Sequence, residues 1–317
     1  MADGKGRARA MPPIVGVSDS LARVRALVER VAASDCPVLI EGESGTGKEL
    51  IARHLHDASP RRDRVFVPVN CASASPALFE SQFFGHVRGA FTGAQQDMLG
   101  WIRSADRGVL FLDEVSEIPL GHQAKLLRIL QDGEVTPVGL ALPVRVDVRF
   151  IAATNRTLRQ EVSGGRFRED LFYRLNVVSI VLEPLRSRPE DIPSLLDHFS
   201  SALAPRYHRP PIRVGPEVER ALCGYAWPGN VRELASWVER LYVTGLEPAE
   251  AAALLIAEAD TAPEESAPQP LMTLQEAERL AIRRAMEASG HNQQEAARLL
   301  AIHRNTLARK LRQPRVA

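Results

Sequence analysis

The chain has 317 residues, enough for two or three domains of ordinary size and too long for a lone minidomain. Hydrophobic residues make up 45% and charged residues 25%, with 40 Lys and Arg against 39 Asp and Glu, a composition that excludes a disordered or strongly polarised chain. The net charge of +1 gives no overall reason to expect a nucleic-acid partner. Cys36, Cys71 and Cys223 are dispersed and odd in number, which argues against a disulfide framework or a zinc cluster and favours a cytoplasmic chain. No apolar run approaches the ~18 residues of a membrane span, and the basic start lacks the apolar segment of a secretion signal.

In chain order, a short tail (1–13) precedes an amphipathic helix over Leu21–Val31, with Leu21, Val24, Leu27, Val28 and Val31 at helical spacing. Buried-strand signals follow at Pro37–Ile40, Val65–Val69, Val109–Leu112, Val148–Ala152 and Val177–Val181, several of them separated by helical stretches. That alternation predicts a parallel α/β sheet over 14–183. Strand signals then stop, and helices over Asp191–Leu203, Pro216–Tyr225 and Asn230–Val243 predict a helical lid subdomain over 184–246. Residues 247–270 begin as a possible helix, end rich in Pro, Ala and Glu, and read as an acidic linker. Three helix-sized segments, 273–289, 293–300 and 304–312, make up an all-α end over 271–317.

Charge follows the same divisions. Residues 1–246 carry a net +2, the linker −6 and the last segment +5, so a basic module stands behind an acidic spacer.

Directly after the first strand comes Gly42-Glu43-Ser44-Gly45-Thr46-Gly47-Lys48-Glu49, a phosphate-binding loop pattern that leads into a helix. Glycines let backbone N–H groups wrap an anion, the helix N-terminus adds its dipole, and Lys48 brings a point charge to the β- and γ-phosphates. Glu49 replaces the usual Ser or Thr, so the customary hydroxyl ligand for Mg²⁺ is missing. Val109-Leu-Phe-Leu112 ends in Asp113-Glu114, delivering two acids to the strand edge where open α/β sheets bind ligands. Asp113 is expected to hold Mg²⁺ and Glu114 to polarise the attacking water of ATP hydrolysis. Taken alone, such acids could merely cap the next helix.

With the hexamer Gly89-Ala90-Phe91-Thr92-Gly93-Ala94, these motifs resemble the AAA+ domain of bacterial sigma-54-dependent transcriptional activators. The resemblance covers about 14–243, and the last helices resemble the family's Fis-type DNA-binding domain. It implies that Lys48 is the Walker A lysine, that Asp113 and Glu114 form Walker B, and that the Gly-Lys-Glu ending is a family trait. By the same resemblance Asn70 pairs with Glu114 as a nucleotide-state switch, and Thr154 and Asn155 act as sensor I. Arg168 and Arg174 match arginine fingers that reach a neighbour's site, and Arg232, in Trp-Pro-Gly-Asn-Val-Arg-Glu-Leu, matches sensor II. The 89–94 loop is implied to engage sigma-54. Three positions depart from the family's pattern near the loops that relay hydrolysis: Val87 for a glutamate, Arg103 for a glutamate and Pro137 for an arginine.

At the C-terminal end, Ala296, Ala297, Leu299 and Leu300 form one apolar face and Leu307 and Leu311 another, which suits a helix-turn-helix. Its second helix is expected to offer Arg304, Asn305, Thr306 and Arg309 to the major groove, with Lys310 and Arg312 placed for phosphates. Ala301 replaces the usual turn glycine and His303 the usual capping serine.

Together with the motifs, the resemblance implies an ATP- and Mg²⁺-dependent activator that binds upstream double-stranded DNA, assembles into a ring, expected to be a hexamer, and remodels the sigma-54 RNA polymerase holoenzyme. The short tail suggests the absence of a receiver or ligand-sensing domain, with control by a trans-acting regulatory protein, a paralogue or expression level. One alternative is a DNA-binding repressor or architectural protein whose ATPase domain only gates oligomerisation. Another is an AAA+ remodeller of a different target, such as a replication loader.

Overall fold

Ser18 opens the first helix. Its hydroxyl accepts from the Leu21 N–H, capping α1 (Asp19–Ala32) one turn before the apolar stripe begins, and Leu21, Val24, Val28 and Val31 are buried. The computed structural model describes residues 12–73 and 78–261 and, towards the C-terminus, 282–283, 285–286, 289–290, 292–300, 302, 306–308 and 310. The chain divides into two units, with the break between Ile256 and Ala257.

In the first unit, β1 (Val38–Glu41), β2 (Phe66–Asn70), β3 (Val109–Asp113), β6 (Arg149–Thr154) and β7 (Val178–Val181) form one parallel sheet in the order β2-β3-β6-β1-β7. A separate two-residue hairpin pairs β4 (Glu134–Val135) with β5 (Val144–Arg145). The helices threaded between them are α2 (Lys48–Asp57), α3 (Phe79–Phe84), α4 (Trp101–Ser104), α5 (Leu120–Asp132), α6 (Leu158–Ser163) and α7 (Glu169–Leu175). Alternate residues of each strand face opposite sides. Val38, Ile40, Phe111, Ile151 and Ala153 pack with α1 and α2, while Leu39, Leu110, Leu112, Phe150 and Ala152 pack with α3, α5 and α7. Burial on both sides explains why β3 reads as an unbroken apolar run rather than an alternating one.

The lid comprises α8 (Ile192–Leu203), α9 (Pro216–Gly224), α10 (Asn230–Thr244) and α11 (Pro248–Thr261), around Trp227 and Trp237, both nearly inaccessible. Here the structure corrects the linker read from residue 247. Ala251, Ala252 and Leu255 of α11 are buried in the lid core, and the Trp237 indole N–H donates to the Ala251 carbonyl at 3.3 Å. Acidic, proline-rich composition does not reveal an apolar face of two alanines and a leucine. Among the described residues, no helix is long and apolar enough to cross a membrane.

In the second unit, Asn292 caps the helix Gln293–Leu299 by accepting from the Gln294 and Glu295 N–H groups at 3.0 and 3.4 Å. Ala285, Ala296, Ala297 and Leu307 form its small core. Thr306 and Lys310 are helical and half-buried. Arg304, Asn305, Arg309 and Arg312, with Ala301 and His303, lie outside the described residues.

Candidate functional site

Four parallel strands end at one edge, and each delivers a residue there. Glu41 pairs in register with Thr154, and Asn70 with Asp113, so the loop after β1, the acids after β3 and Asn155 after β6 share a rim. Because β6 lies between β1 and β3, Asn155 is interposed between the phosphate loop and the two acids.

Lys48 opens α2 and is 7% exposed. Its ammonium donates to the Gly42 and Glu43 carbonyls at 2.9 and 3.2 Å and lies 3.8 Å from Glu114 Oε1. Burial lowers its pKa, with the Glu114 and Asp113 charges opposing that shift. Asp113 is pushed the other way: burial raises its carboxyl, opposed by Lys48. The three groups form a charge cluster held at a partly dry rim, where each needs its counter-charge. Glu114 has left-handed backbone, φ +52°, which turns its carboxylate onto the Asn155 N–H at 3.2 Å, while its own N–H donates to Asp113 Oδ1 at 3.1 Å. A glutamate in that conformation is strained and must be held there by its surroundings.

Thr46 is buried and its hydroxyl donates to the Glu43 carbonyl at 2.8 Å, bracing the loop. Glu49 is exposed and bound by Arg53 at 2.6 Å. Among the described residues, no group of three or more His, Cys, Asp or Glu gathers as a dedicated metal cage. The rim carboxylates Asp113 and Glu114 fit Mg²⁺, which characteristically takes one or two carboxylates plus substrate phosphates.

The lid closes over the loop through named contacts. The Arg232 guanidinium donates to Ser44 Oγ at 3.0 Å, and its backbone N–H donates to the Gly45 carbonyl at 3.3 Å. Gly45 has φ +80°, and a Cβ there would lie 2.2 Å from the Gly229 carbonyl, so the lid approaches as closely as glycine permits. Asn230, fully buried, donates to the Ser44 carbonyl at 3.0 Å and to Glu43 at 3.2 Å and accepts from the Leu185 N–H at 2.7 Å. Arg186 forms an ion pair with Glu43. Replacing Asn230 by alanine strands these groups and is expected to cost about 1–3 kcal/mol, read as a lowered melting temperature and weaker nucleotide binding; an unchanged melting curve would contradict it. Asn230 stands within the sensor II run, but nothing in its spacing marks it as the joint.

Two cavities meet at this closure. One of about 330 Å³ carries the charged groups, with Ser44, Lys48, Glu49, Asp113, Glu114 and Arg232 in its lining. An apolar recess of about 130 Å³ is lined by Ile14, Val15, Leu195 and Arg188, and shares Gly47, Leu50, Phe199 and Val231 with the first. A charged end joined to an apolar end is the shape of a site for a nucleotide, phosphates at one end and base at the other. The recess is invisible in the sequence because its walls come from the N-terminal segment, α2 and the lid.

Several expected roles meet different surroundings. Asn70 and Glu114 are not hydrogen-bonded: Asn70 Oδ1 accepts from the Ala72 N–H at 2.9 Å, capping its own turn, while Glu114 is engaged by Lys48 and Asn155. Thr154 is fully buried, its hydroxyl 3.3 Å from Ser116 Oγ and 3.0 Å from the Arg156 nitrogen, so of the two residues only Asn155, through its backbone N–H, reaches Glu114. Arg168 forms an ion pair with Asp170 at 2.8 Å. Arg174 donates twice to the Leu130 carbonyl and lines a cavity with Pro37, Val148 and Val177, the residues just before β1, β6 and β7. It therefore sits at the opposite edge of the sheet from Lys48.

The Gly89–Ala94 loop closes on itself, with Gly89 N–H donating to the Ala94 carbonyl at 2.9 Å. Thr92 is exposed, and Phe91, 39% exposed, stands edge-on to the His86 ring at 5.0 Å. Val87, one of the departures, donates its N–H to the Val138 carbonyl at 3.1 Å, next to Pro137, so two departures meet where the loop base joins the β4–β5 connection.

Comparison with known proteins supplies the family. Residues 14–181 match the model of the sigma-54 interaction domain, 186–270 that of an AAA+ ATPase lid domain, and 273–313 that of the Fis family of bacterial regulatory proteins. The chain belongs to the sigma-54-dependent transcriptional regulators. It is 46% identical over 300 residues to the transcriptional regulatory protein ZraR of Salmonella typhimurium, covering 94% of this chain and 68% of that one. The sigma54-dependent regulator SfnR of Pseudomonas fluorescens is 50% identical over 207 residues, covering 65% of this chain and 56% of its own length. NtrX from Brucella abortus, solved in complex with ADP, superposes with a TM-score of 0.70 at 35% identity, covering 94% of this chain and 68% of that one. This family has an ATP-binding AAA+ ATPase domain and a Fis-type DNA-binding domain, and it favours activation over the repressor or architectural alternative.

Proposed function

We propose that the chain hydrolyses ATP at a site completed by a neighbouring copy and uses the cycle to remodel sigma-54 RNA polymerase bound at a promoter. The observation that carries this reading is the placement of Lys48, Asp113 and Glu114 on one sheet edge and Arg174 on the other. Strands of four to six residues hold those edges roughly 13–20 Å apart, so a finger arginine serves the next subunit rather than its own. Head-to-tail contacts of that kind close into a ring, and a hexamer is the assembly proposed.

Each group has a stated task. The loop 42–49 and Lys48 bind the β- and γ-phosphates, Arg232 reports nucleotide to the lid, and the apolar recess takes the base. Asp113 would hold Mg²⁺, which would supply charge neutralisation to the phosphates when bound. Glu114 orients and deprotonates the attacking water, and Asn155, whose N–H already holds that carboxylate, senses the γ-phosphate. Asn70 is assigned the switch role in a nucleotide-bound state, since it stands in register with Asp113. Thr154 positions Asn155 through the turn. Arg168 and Arg174 stabilise the transition-state charge in trans.

Gly89, Ala90, Phe91, Thr92, Gly93 and Ala94 form the sigma-54 contact. The basic end, through Arg304, Asn305, Thr306, Arg309, Lys310 and Arg312, binds upstream double-stranded DNA in the cytoplasm. A trans-acting regulatory protein or paralogue sets the activity.

In vitro transcription from a sigma-54 promoter tests the reading. The unaltered chain should give ATP-dependent transcripts, and Thr92→Ala should keep ATP turnover while losing them. Transcripts unchanged in Thr92→Ala would sink the loop assignment, and hydrolysis without any transcripts would sink activation.

A further inference from the structure

The apolar recess contains one buried charged side chain that the hydrolytic scheme leaves without a task. Arg188 is 4% exposed and lines the recess beside Thr46, Gly47 and Leu50. It is held from three sides. Its Nε donates to the Glu183 carbonyl at 3.1 Å, Nη1 to Asp191 Oδ2 at 3.4 Å, and Nη2 to the Thr46 carbonyl at 3.4 Å. The chain leaving β7, the lid and the phosphate loop therefore converge on one guanidinium.

Its anchor is fixed in turn. Asp191 has no exposed surface, and it accepts from the Val17 and Ser18 N–H groups at 2.6 and 2.7 Å and from the Ser18 hydroxyl at 2.8 Å. Arg188 therefore cannot swing out to water without stranding a buried carboxylate. A guanidinium carries five N–H donors, and here they meet three acceptors, two of them at the long limit of a hydrogen bond. A rigid, flat cation with unfilled donors in an apolar recess suits a planar heteroaromatic ligand, which offers a π-face and ring-nitrogen acceptors.

We propose that Arg188 is a substrate-binding residue that holds the base of the nucleotide in the recess, while Asp191 fixes its orientation. This rests on the reading of the cleft as an ATP site. It differs from a purely structural tie between Thr46 and the lid, which would act on the phosphates and the base alike.

The test compares ATP with inorganic triphosphate, which has the phosphates but no base or sugar, on the full chain and on Arg188→Lys and Arg188→Gln. The unaltered chain should bind ATP at least about tenfold more tightly than triphosphate. Arg188→Lys keeps the charge and loses the flat fork; it should weaken ATP about tenfold and leave triphosphate within about twofold. Arg188→Gln should do the same and serves if the lysine variant does not fold. Parallel weakening of both ligands, unchanged ATP affinity in the variants, or equal affinity of the unaltered chain for the two ligands would each overturn the proposal. A chain that binds neither ligand overturns the nucleotide reading, and this proposal with it.

Discussion

Lys48→Ala is expected to abolish ATP binding at working concentrations and, with it, hydrolysis. The ammonium is buried, bound to two loop carbonyls and set against Glu114, so its removal takes away the one positive charge of the loop and leaves two carboxylates facing a polyanion. A charge-assisted bond to phosphate contributes about 1.5–3 kcal/mol, and repulsion from the uncompensated acids adds to that, so affinity should fall at least about a hundredfold. The fold should persist, because Lys48 supports the loop rather than the core. Equilibrium titration with a fluorescent ATP analogue, beside a thermal melt, checks both parts; affinity within about threefold of the unaltered chain would remove Lys48 from the site.

The second large effect concerns the opposite edge of the sheet. Arg174→Ala and Arg168→Ala should each bind ATP normally and lose about 10³–10⁵ in turnover, the range associated with an arginine supplied to developing phosphoryl charge. Neither residue touches its own nucleotide cleft: one is bound to Asp170 and the other to the Leu130 carbonyl. Complementation makes the assignment decisive. A Lys48→Ala chain has a dead loop and an intact finger, and an Arg174→Ala chain the reverse. Mixed, they should regain hydrolysis at the interfaces where an intact loop meets an intact finger. Normal turnover in the single variants, or no recovery on mixing, would refute the trans arrangement.

How much of this was legible in the sequence depended on whether the signal was local. β3 announces itself because both faces are buried, so four apolar residues run together before Asp113 and Glu114. The loop 42–49 is legible because backbone geometry demands glycine at fixed spacing. The turn that carries Asn70 is not, since whether its amide faces Glu114 or the Ala72 N–H is settled by a local capping bond that competes with the expected pairing. Thr154 and Asn155 are adjacent in sequence and opposite in exposure, one side chain turned into the sheet and the other outward, with the Asn155 backbone N–H on Glu114. Arg188 and Asp191 stand among Arg186, Glu183 and Glu190, and nothing in that run sets two of its charges apart. Only the packing of the N-terminal segment against the lid turns them into a buried pair. Docking of α11 was hidden for a related reason, since Ala251 and Ala252 acquire an apolar role only when Trp237 lies beneath them.

The separation of Lys48 and Arg174 across the sheet has a consequence for dosage. On the proposed trans arrangement, a catalyst divided between two edges of one molecule would have a specific activity that rises with its own concentration, and dilute protein would idle with ATP bound and unspent. Bringing several copies to neighbouring sites on one DNA segment would raise their local concentration and act as an ignition step. Output would then follow a threshold in occupancy rather than the amount of protein in proportion.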